Sequence, residues 1–122
     1  MRGYFTSPSR ADDSFIPFSN LSTGWKLYKE FQCTSAGLTI NIDATDKPII
    51  FKYVFQKYGN MLTITATDKT DNIPLGMIRV TRDNTEHTFV FMQQANHAVT
   101  IGIYFESSFS GNNANGSLYY HD

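Results

Sequence analysis

The sequence predicts an all-β protein, an antiparallel β-sandwich of about eight strands preceded by an extended N-terminal arm. Three observations lead there. Short runs such as Leu38-Thr39-Ile40-Asn41-Ile42 and Leu62-Thr63-Ile64-Thr65-Ala66 alternate apolar and polar residues, the period of a strand with one buried face. Gly, Asn and Asp turns separate such runs at intervals of roughly 8–14 residues, and no amphipathic helical pattern interrupts them. Ten Phe, seven Tyr and one Trp make the chain 15% aromatic, a share that suits β-structure.

Residues 1 to about 23 stand apart. Ser, Pro, Asp and Arg dominate, Pro8 and Pro17 oppose regular structure, and Tyr4, Phe5, Phe15, Ile16 and Phe18 follow no period. A purely disordered tail would be poorer in aromatics. The segment reads as an arm that lays its aromatics into grooves on its own sandwich or on a neighbouring subunit. Residues 24–122 form the sandwich. Its first strand lies near Trp25 to Phe31 and its second at Leu38 to Ile42. Asp43 to Pro48 then turns the chain through Asx chemistry and a proline. The longest run is Ile49 to Lys57, with Ile49, Phe51, Tyr53 and Phe55 on one apolar face and Lys52 and Gln56 on the other. Tyr58-Gly59-Asn60 leads to a strand from Met61 to Thr67, and Asp68 to Asn72 turns again.

A fifth strand covers about Leu75 to Thr81, followed by the turn Arg82-Asp83-Asn84-Thr85. The run from His87 to Met92 puts His87, Phe89 and Phe91 on one face. Val99, Ile101, Ile103 and Phe105 form the cleanest buried stripe, opposite Thr100, Gly102 and Tyr104. Residues 107–117 are the one long loop, and Leu118-Tyr119-Tyr120 closes the domain. Eight strands in two sheets is the jelly-roll count.

At 122 residues the chain is one domain, large enough to fold without disulfides or metal. Charged residues are 17% against a usual share of about 25%. Ten Lys/Arg against eleven Asp/Glu leave a net charge of −1, so no basic field attracts a phosphate backbone and nucleic acid is excluded as a partner. The surface is neutral and rich in hydroxyls and amides, as on secreted β-domains, glycan binders and packed subunits. Cys33 stands alone and reads as a buried, inert thiol. No stretch approaches the ~20 apolar residues that span a bilayer, and the first residues hold no signal-peptide core. The expected location is therefore the cytoplasm, followed by incorporation into a larger particle. Without a secretory route, Asn20-Leu21-Ser22 and Asn115-Gly116-Ser117 carry no weight as glycosylation sites.

Chemistry-bearing residues are sparse. Asp43, Asp46, Asp68, Asp71 and Asp83 read as turn residues, and Asp12-Asp13 as solvated residues of the arm. Glu30, Glu86 and Glu106 lie on or near strands. His87, His97 and His121 form no zinc-type spacing, and no G-x-S-x-G elbow occurs. They read as polar surface or half-buried structural histidines. No catalytic, cofactor or metal residues are expected. The turns Asp68 to Asn72 and Asp43/Asp46 concentrate hard oxygen donors, so structural calcium is the alternative to simple turns. Gly111 to Gly116 leads to a strand and not to a helix N-terminus, which removes the basis of a phosphate cradle. It reads as a flexible loop or as a contact loop at an interface. Trp25, Tyr28, Tyr58, Tyr104 and Tyr119 are more aromatics than one such core easily holds. Of these, Trp25, Tyr58, Tyr104 and Tyr119 are candidate ligand contacts, since exposed rings stack on sugars or anchor interfaces.

The order of features is similar to one known group. Gly24-Trp25 opens the domain, and the Phe51 to Lys57 strand precedes Gly59-Asn60-Met61-Leu62-Thr63-Ile64. Thr88-Phe89-Val90-Phe91, Ile101-Gly102-Ile103-Tyr104-Phe105 and a Tyr-rich Leu118-Tyr119-Tyr120 follow. Over about residues 24–122 this patterning resembles the carbohydrate-binding-module-like, galactose-binding-like jelly roll. That resemblance implies modules of the kind attached to glycoside hydrolases, or small jelly rolls of phage tails and capsids. Two departures stand out: no enzyme is attached, and the strand that normally follows the last Tyr-rich stretch is clipped at Asp122. Sugar-binding residues vary in position within the group, so none is carried over.

The functional expectation is a non-enzymatic subunit, most concretely a virion decoration or cement protein. Its partners would be itself and a larger assembly such as a capsid. Contacts would run through Tyr4, Phe5, Phe15 and Phe18, with edge-strand pairing in addition. A free-standing glycan-binding module is the alternative.

Overall fold

A computed structural model of the chain describes residues 23–81 and 85–122. Among them the alternating runs become eight strands: β1 (Lys26–Phe31), β2 (Leu38–Ile42), β3 (Ile49–Gln56), β4 (Leu62–Asp68), β5 (Ile73–Val80), β6 (Glu86–Gln93), β7 (Val99–Phe105) and β8 (Gly116–His121). Pairing is antiparallel throughout. One sheet has the order β1-β8-β3-β6 and the other β2-β7-β4-β5. Only the β4–β5 connection stays within a sheet; the others cross between the two. That is the jelly-roll arrangement of the antiparallel sandwich. The arm residues Tyr4, Phe5, Phe15 and Phe18, and the turn at Arg82 to Asn84, lie outside the described residues.

Period-2 alternation decides which side chains meet in the middle. Phe51, Tyr53 and Phe55 of β3 are buried, and so are Phe89 and Phe91 of β6 and Leu118 of β8. Facing them are Ile40 and Ile42 of β2, Leu62, Ile64 and Ala66 of β4, and Val99, Ile101 and Ile103 of β7. Aromatic rings stack along the first sheet, Phe51 on Phe91 at 5.3 Å and Tyr53 on Phe55 at 5.2 Å between centroids. Full burial of one such side chain contributes about 1.5–3 kcal/mol. The core therefore outweighs any single polar contact. Cys33 is also buried, between β1 and β2, and burial pushes its thiol up to about 11, so it stays protonated at neutral pH.

Two of the sheet edges carry features that block further pairing. On β1 a bulge between Leu27 and Lys29 breaks the register, and Lys26 and Lys29 lie along the strand. On β5 Pro74 lacks an amide donor and a bulge opposes it between Ala66 and Thr67.

The 107–117 segment differs from a flexible surface loop. Ala114 and Asn112 are buried. Asn112 Oδ1 accepts from the Asn60 amide at 2.8 Å, and its Nδ2 donates to the Ser107 carbonyl at 2.8 Å. Gly59 (φ 96°) comes so close to Asn112 that a Cβ there would collide with its Oδ1. Tyr58 and Asn113 exchange backbone hydrogen bonds of 2.8 and 3.0 Å, and the Ala114 amide donates to Cys33 O at 2.9 Å. The loop is one wall of the sandwich, because its backbone groups find partners in the β1–β2 and β3–β4 connections, on β3 and within the loop itself.

Below that wall the buried Tyr53 hydroxyl donates to Ala114 O at 2.6 Å. Replacing Tyr53 by Phe leaves this carbonyl short of a partner inside the core. Tyr53→Phe is expected to lower stability by about 1–2 kcal/mol, read as a shifted urea midpoint at unchanged slope. An unchanged midpoint would show that the bond holds nothing in place.

Candidate functional site

The turn after β4 and the loop before β7 meet at one end of the sandwich. Asp68 closes β4, and its Oδ1 accepts from the backbone amides of Thr70 and Asp71, both at 3.0 Å. This is the Asx geometry expected of the turn, and Asn72 completes it at φ 59°. The other oxygen, Oδ2, lies 2.6 Å from Nδ1 of His97 in the β6–β7 loop. Asp71 Oδ2 stands 3.7 Å from the same nitrogen. Two backbone bonds flank the cluster: Lys69 N–H donates to Ala98 O at 2.8 Å, and Ala98 N–H donates to Thr70 Oγ1 at 3.0 Å. Beneath it, Gln93 Nε2 donates to the carbonyls of Asp43 and His97, at 2.9 and 2.8 Å. Three connections are thereby tied to one another.

Asp68 is almost fully buried. Burial by itself would raise its pKa. The Asp71 amide, the His97 ring with its charge, and the Thr70 amide outweigh burial and hold the carboxyl below its ordinary value. His97 Nδ1 and one oxygen each of Asp68 and Asp71 lie within 4.8 Å of one another. One imidazole and two carboxylates suit zinc or manganese better than calcium, whose ligands are oxygens. Hydrogen bonding already accounts for the arrangement, since Asp68 engages both oxygens within the cluster. The turn aspartates were legible in the sequence. His97, twenty-nine positions from Asp68, joins them only through the β4–β7 pairing.

The four candidate ligand aromatics fall in three places. Trp25 and Tyr119 come together on the outer face of the β1-β8-β3-β6 sheet, around Lys52. The Lys52 ammonium lies 4.4 Å from the Trp25 ring centre and 5.6 Å from that of Tyr119. His121 meets Trp25 edge-to-face at 5.3 Å and lies 2.8 Å, through Nε2, from Thr23 O. Cross-strand register extends this group into a row, Leu27–Tyr119–Lys52–Val90. Leu27 is 52% and Val90 47% exposed.

Tyr104 lies on the outer face of the other sheet, half exposed, with its ring against Gly102. Thr63 and Arg79 share its row, Thr39 and Thr65 pair with Gly102, and the exposed Met77 lies beyond Thr65. Thr100 donates to Asn41 Oδ1 at 3.0 Å on the same face. Tyr58 sits at the end of the sandwich, 46% exposed, beside Asn113. No helix among the described residues is long and apolar enough to cross a membrane.

No protein-family model matches this chain, and no curated protein is significantly similar to it in sequence.

Asp68→Asn removes the carboxylate charge and keeps an acceptor for the two backbone amides. The folded-state pKa of Asp68 lies below its unfolded value near 3.8. Its contribution is therefore complete above the unfolded value and is lost as pH falls through the folded one. The wild-type chain is expected to exceed the variant in stability at about pH 5–6, with the gap closing below about pH 3.8. Urea unfolding across that range checks it; a gap that persists at low pH would remove Asp68 as its source.

Proposed function

We propose that this chain is a non-enzymatic structural subunit, a decoration or cement protein of a virion, acting through protein–protein contacts. One observation supports the reading above others. The outer face of the β1-β8-β3-β6 sheet carries Leu27, Val90, Val54, Met92, Tyr119 and Trp25, although the solvent side of an antiparallel sheet is ordinarily polar. Leu27 and Val90 are about half exposed on it. Apolar patches rimmed by polar residues mark interaction sites, and aromatic anchors carry most of the energy of such contacts.

The same face is where the chain arrives from residues 1–22. Thr23 lies against His121 there, and Gly24 turns past it with φ 84°. Tyr4, Phe5, Phe15 and Phe18 precede Thr23 in the sequence, and they are the proposed partners of this face in the contact. Of the four sheet edges β1 and β5 are the poorer contacts, because bulges, lysines and Pro74 block them.

Val90→Lys is expected to weaken association with the particle at least about tenfold while leaving stability within about 0.5 kcal/mol, since Val90 packs nothing in the core. Deleting residues 1–22 should abolish association and leave the sandwich folded by circular dichroism. Density-gradient sedimentation of lysate from the natural source reads both. A chain that sediments only as a small soluble species would end this reading.

A further inference from the structure

Antiparallel ladders alternate pairs that exchange two hydrogen bonds with pairs that exchange none. The Lys57 amide donates to Thr85 O at 3.0 Å, in the register that pairs Gln56 with Glu86. Odd-numbered residues of β6 therefore turn their backbone groups toward β3. Glu86, Thr88, Val90 and Met92 turn theirs the other way, off the free edge of the β1-β8-β3-β6 sheet. The β8 side of β3 agrees, since the amide of the even-numbered Gln56 donates to Asn115 O at 3.3 Å. Among the described residues no backbone bond from elsewhere in the chain reaches these four residues of β6.

The edges of the two sheets differ in how they meet solvent. Sheets are guarded against stray pairing by bulges, lysines, prolines or very short edge strands. Between them β1 and β5 carry the first three, and β2 has only five residues. None of these guards β6. It runs from Glu86 to Gln93 without proline or lysine and keeps its register with β3 along its whole length. Glu86, Thr88 and Val90 on it are exposed. Such an edge is a template for another strand.

This strand is complementary to itself. A two-fold axis at Phe89, perpendicular to the sheet, sets Thr88 of one copy opposite Val90 of the other, and Glu86 opposite Met92. Every residue with outward backbone groups then has a partner with which it exchanges two bonds. A shift of the axis by one residue carries either Glu86 or Met92 past the end of the opposing strand. The two Glu86 carboxylates lie at opposite ends of the pair, so like charges do not face each other. Complementarity of this kind favours a second copy over an unrelated strand.

We propose that β6 pairs with β6 of a second copy of this chain, joining two four-stranded sheets into one continuous sheet. The axis brings the outer faces of both copies to the same side. Val90, the last member of the row Leu27–Tyr119–Lys52–Val90, then lies beside Thr88 of the other copy, whose neighbour is Val54, and the two apolar rows run side by side across the axis. A dimer thus presents the face twice, and a repeating surface binds it with the gain of bivalency, which deepens the subunit reading. The pairing itself requires no particle. One strand pair is a small contact, so the dimer is reversible and depends on concentration.

Sedimentation equilibrium of the full chain from about 1 µM to about 1 mM, with amide hydrogen exchange at both ends of that range, tests the pairing. The mass is expected to rise reversibly toward that of two chains. Exchange at Thr88 and Val90 should slow about tenfold or more as it does, because those amides enter hydrogen bonds only in the dimer. Thr88→Pro removes an outward donor and puts a ring in its place, while the β3 ladder does not use that amide. The variant should dimerise at least about tenfold more weakly with its strand circular dichroism retained. If the variant does not fold, the exchange pattern of the unaltered chain is decisive by itself. A chain that stays monomeric throughout the range overturns the proposal. A dimer in which Thr88 and Val90 exchange as fast as in the monomer overturns it too, moving the contact to another surface. Protection of those amides that is independent of concentration and lost on deleting residues 1–22 also overturns it, giving the edge to the chain's own N-terminal segment. Co-sedimentation with particles is read separately: a dimer that never joins a particle ends the subunit reading alone, and a monomer that joins one ends the pairing alone.

Discussion

Contact between two apolar inner faces is the constraint on which the rest of this structure depends. The two sheets share no ladder among the described strands, and the single cysteine precludes an internal disulfide. What joins them is the meeting of Phe51, Tyr53, Phe55, Phe89 and Phe91 with Ile64, Ile101 and Ile103. Because side chains alternate with period 2, committing these residues inward commits every intervening residue outward. The character of both outer faces follows. One is left with threonines, an asparagine, Arg79, Tyr104 and the exposed Met77, and the other with Leu27, Val54, Val90 and Tyr119 around Lys52.

The open ends of the sandwich are closed by polar side chains. At one end Asp68 and His97 clasp two connections, while Gln93 ties in a third. At the other end Asn112 and Asn115 fasten the 107–117 segment to the β1–β2 and β3–β4 connections. Each closure satisfies backbone groups that the ladders cannot reach. The same economy produces a cleft where β8 begins with a glycine pressed on β3 and an asparagine already engaged from behind.

Function belongs to what this frame leaves outside. An apolar row, Leu27–Tyr119–Lys52–Val90, lies on the outer face of the β1-β8-β3-β6 sheet, and a polar depression lies where β1 and β8 separate. The two differ in chemistry and in residues.

Residue order by itself determined the strands and their buried faces. Alternation is local: Ile49, Phe51, Tyr53 and Phe55 declare a face within one run, whatever the run pairs with. The same holds for Val99, Ile101 and Ile103, and the turn aspartates at 43, 46, 68 and 71 are equally local. Tertiary structure decided which runs became neighbours. Pairing β4 with β7 brought His97 to Asp68, and pairing β8 with both β1 and β3 set Trp25 and Tyr119 around Lys52. It also drew Ala114 and Asn112, which read as loop, into the buried interior. The reason is range. A side chain's face depends on its immediate neighbours, whereas partners separated by tens of residues are set by crossing connections and register, which no local pattern encodes.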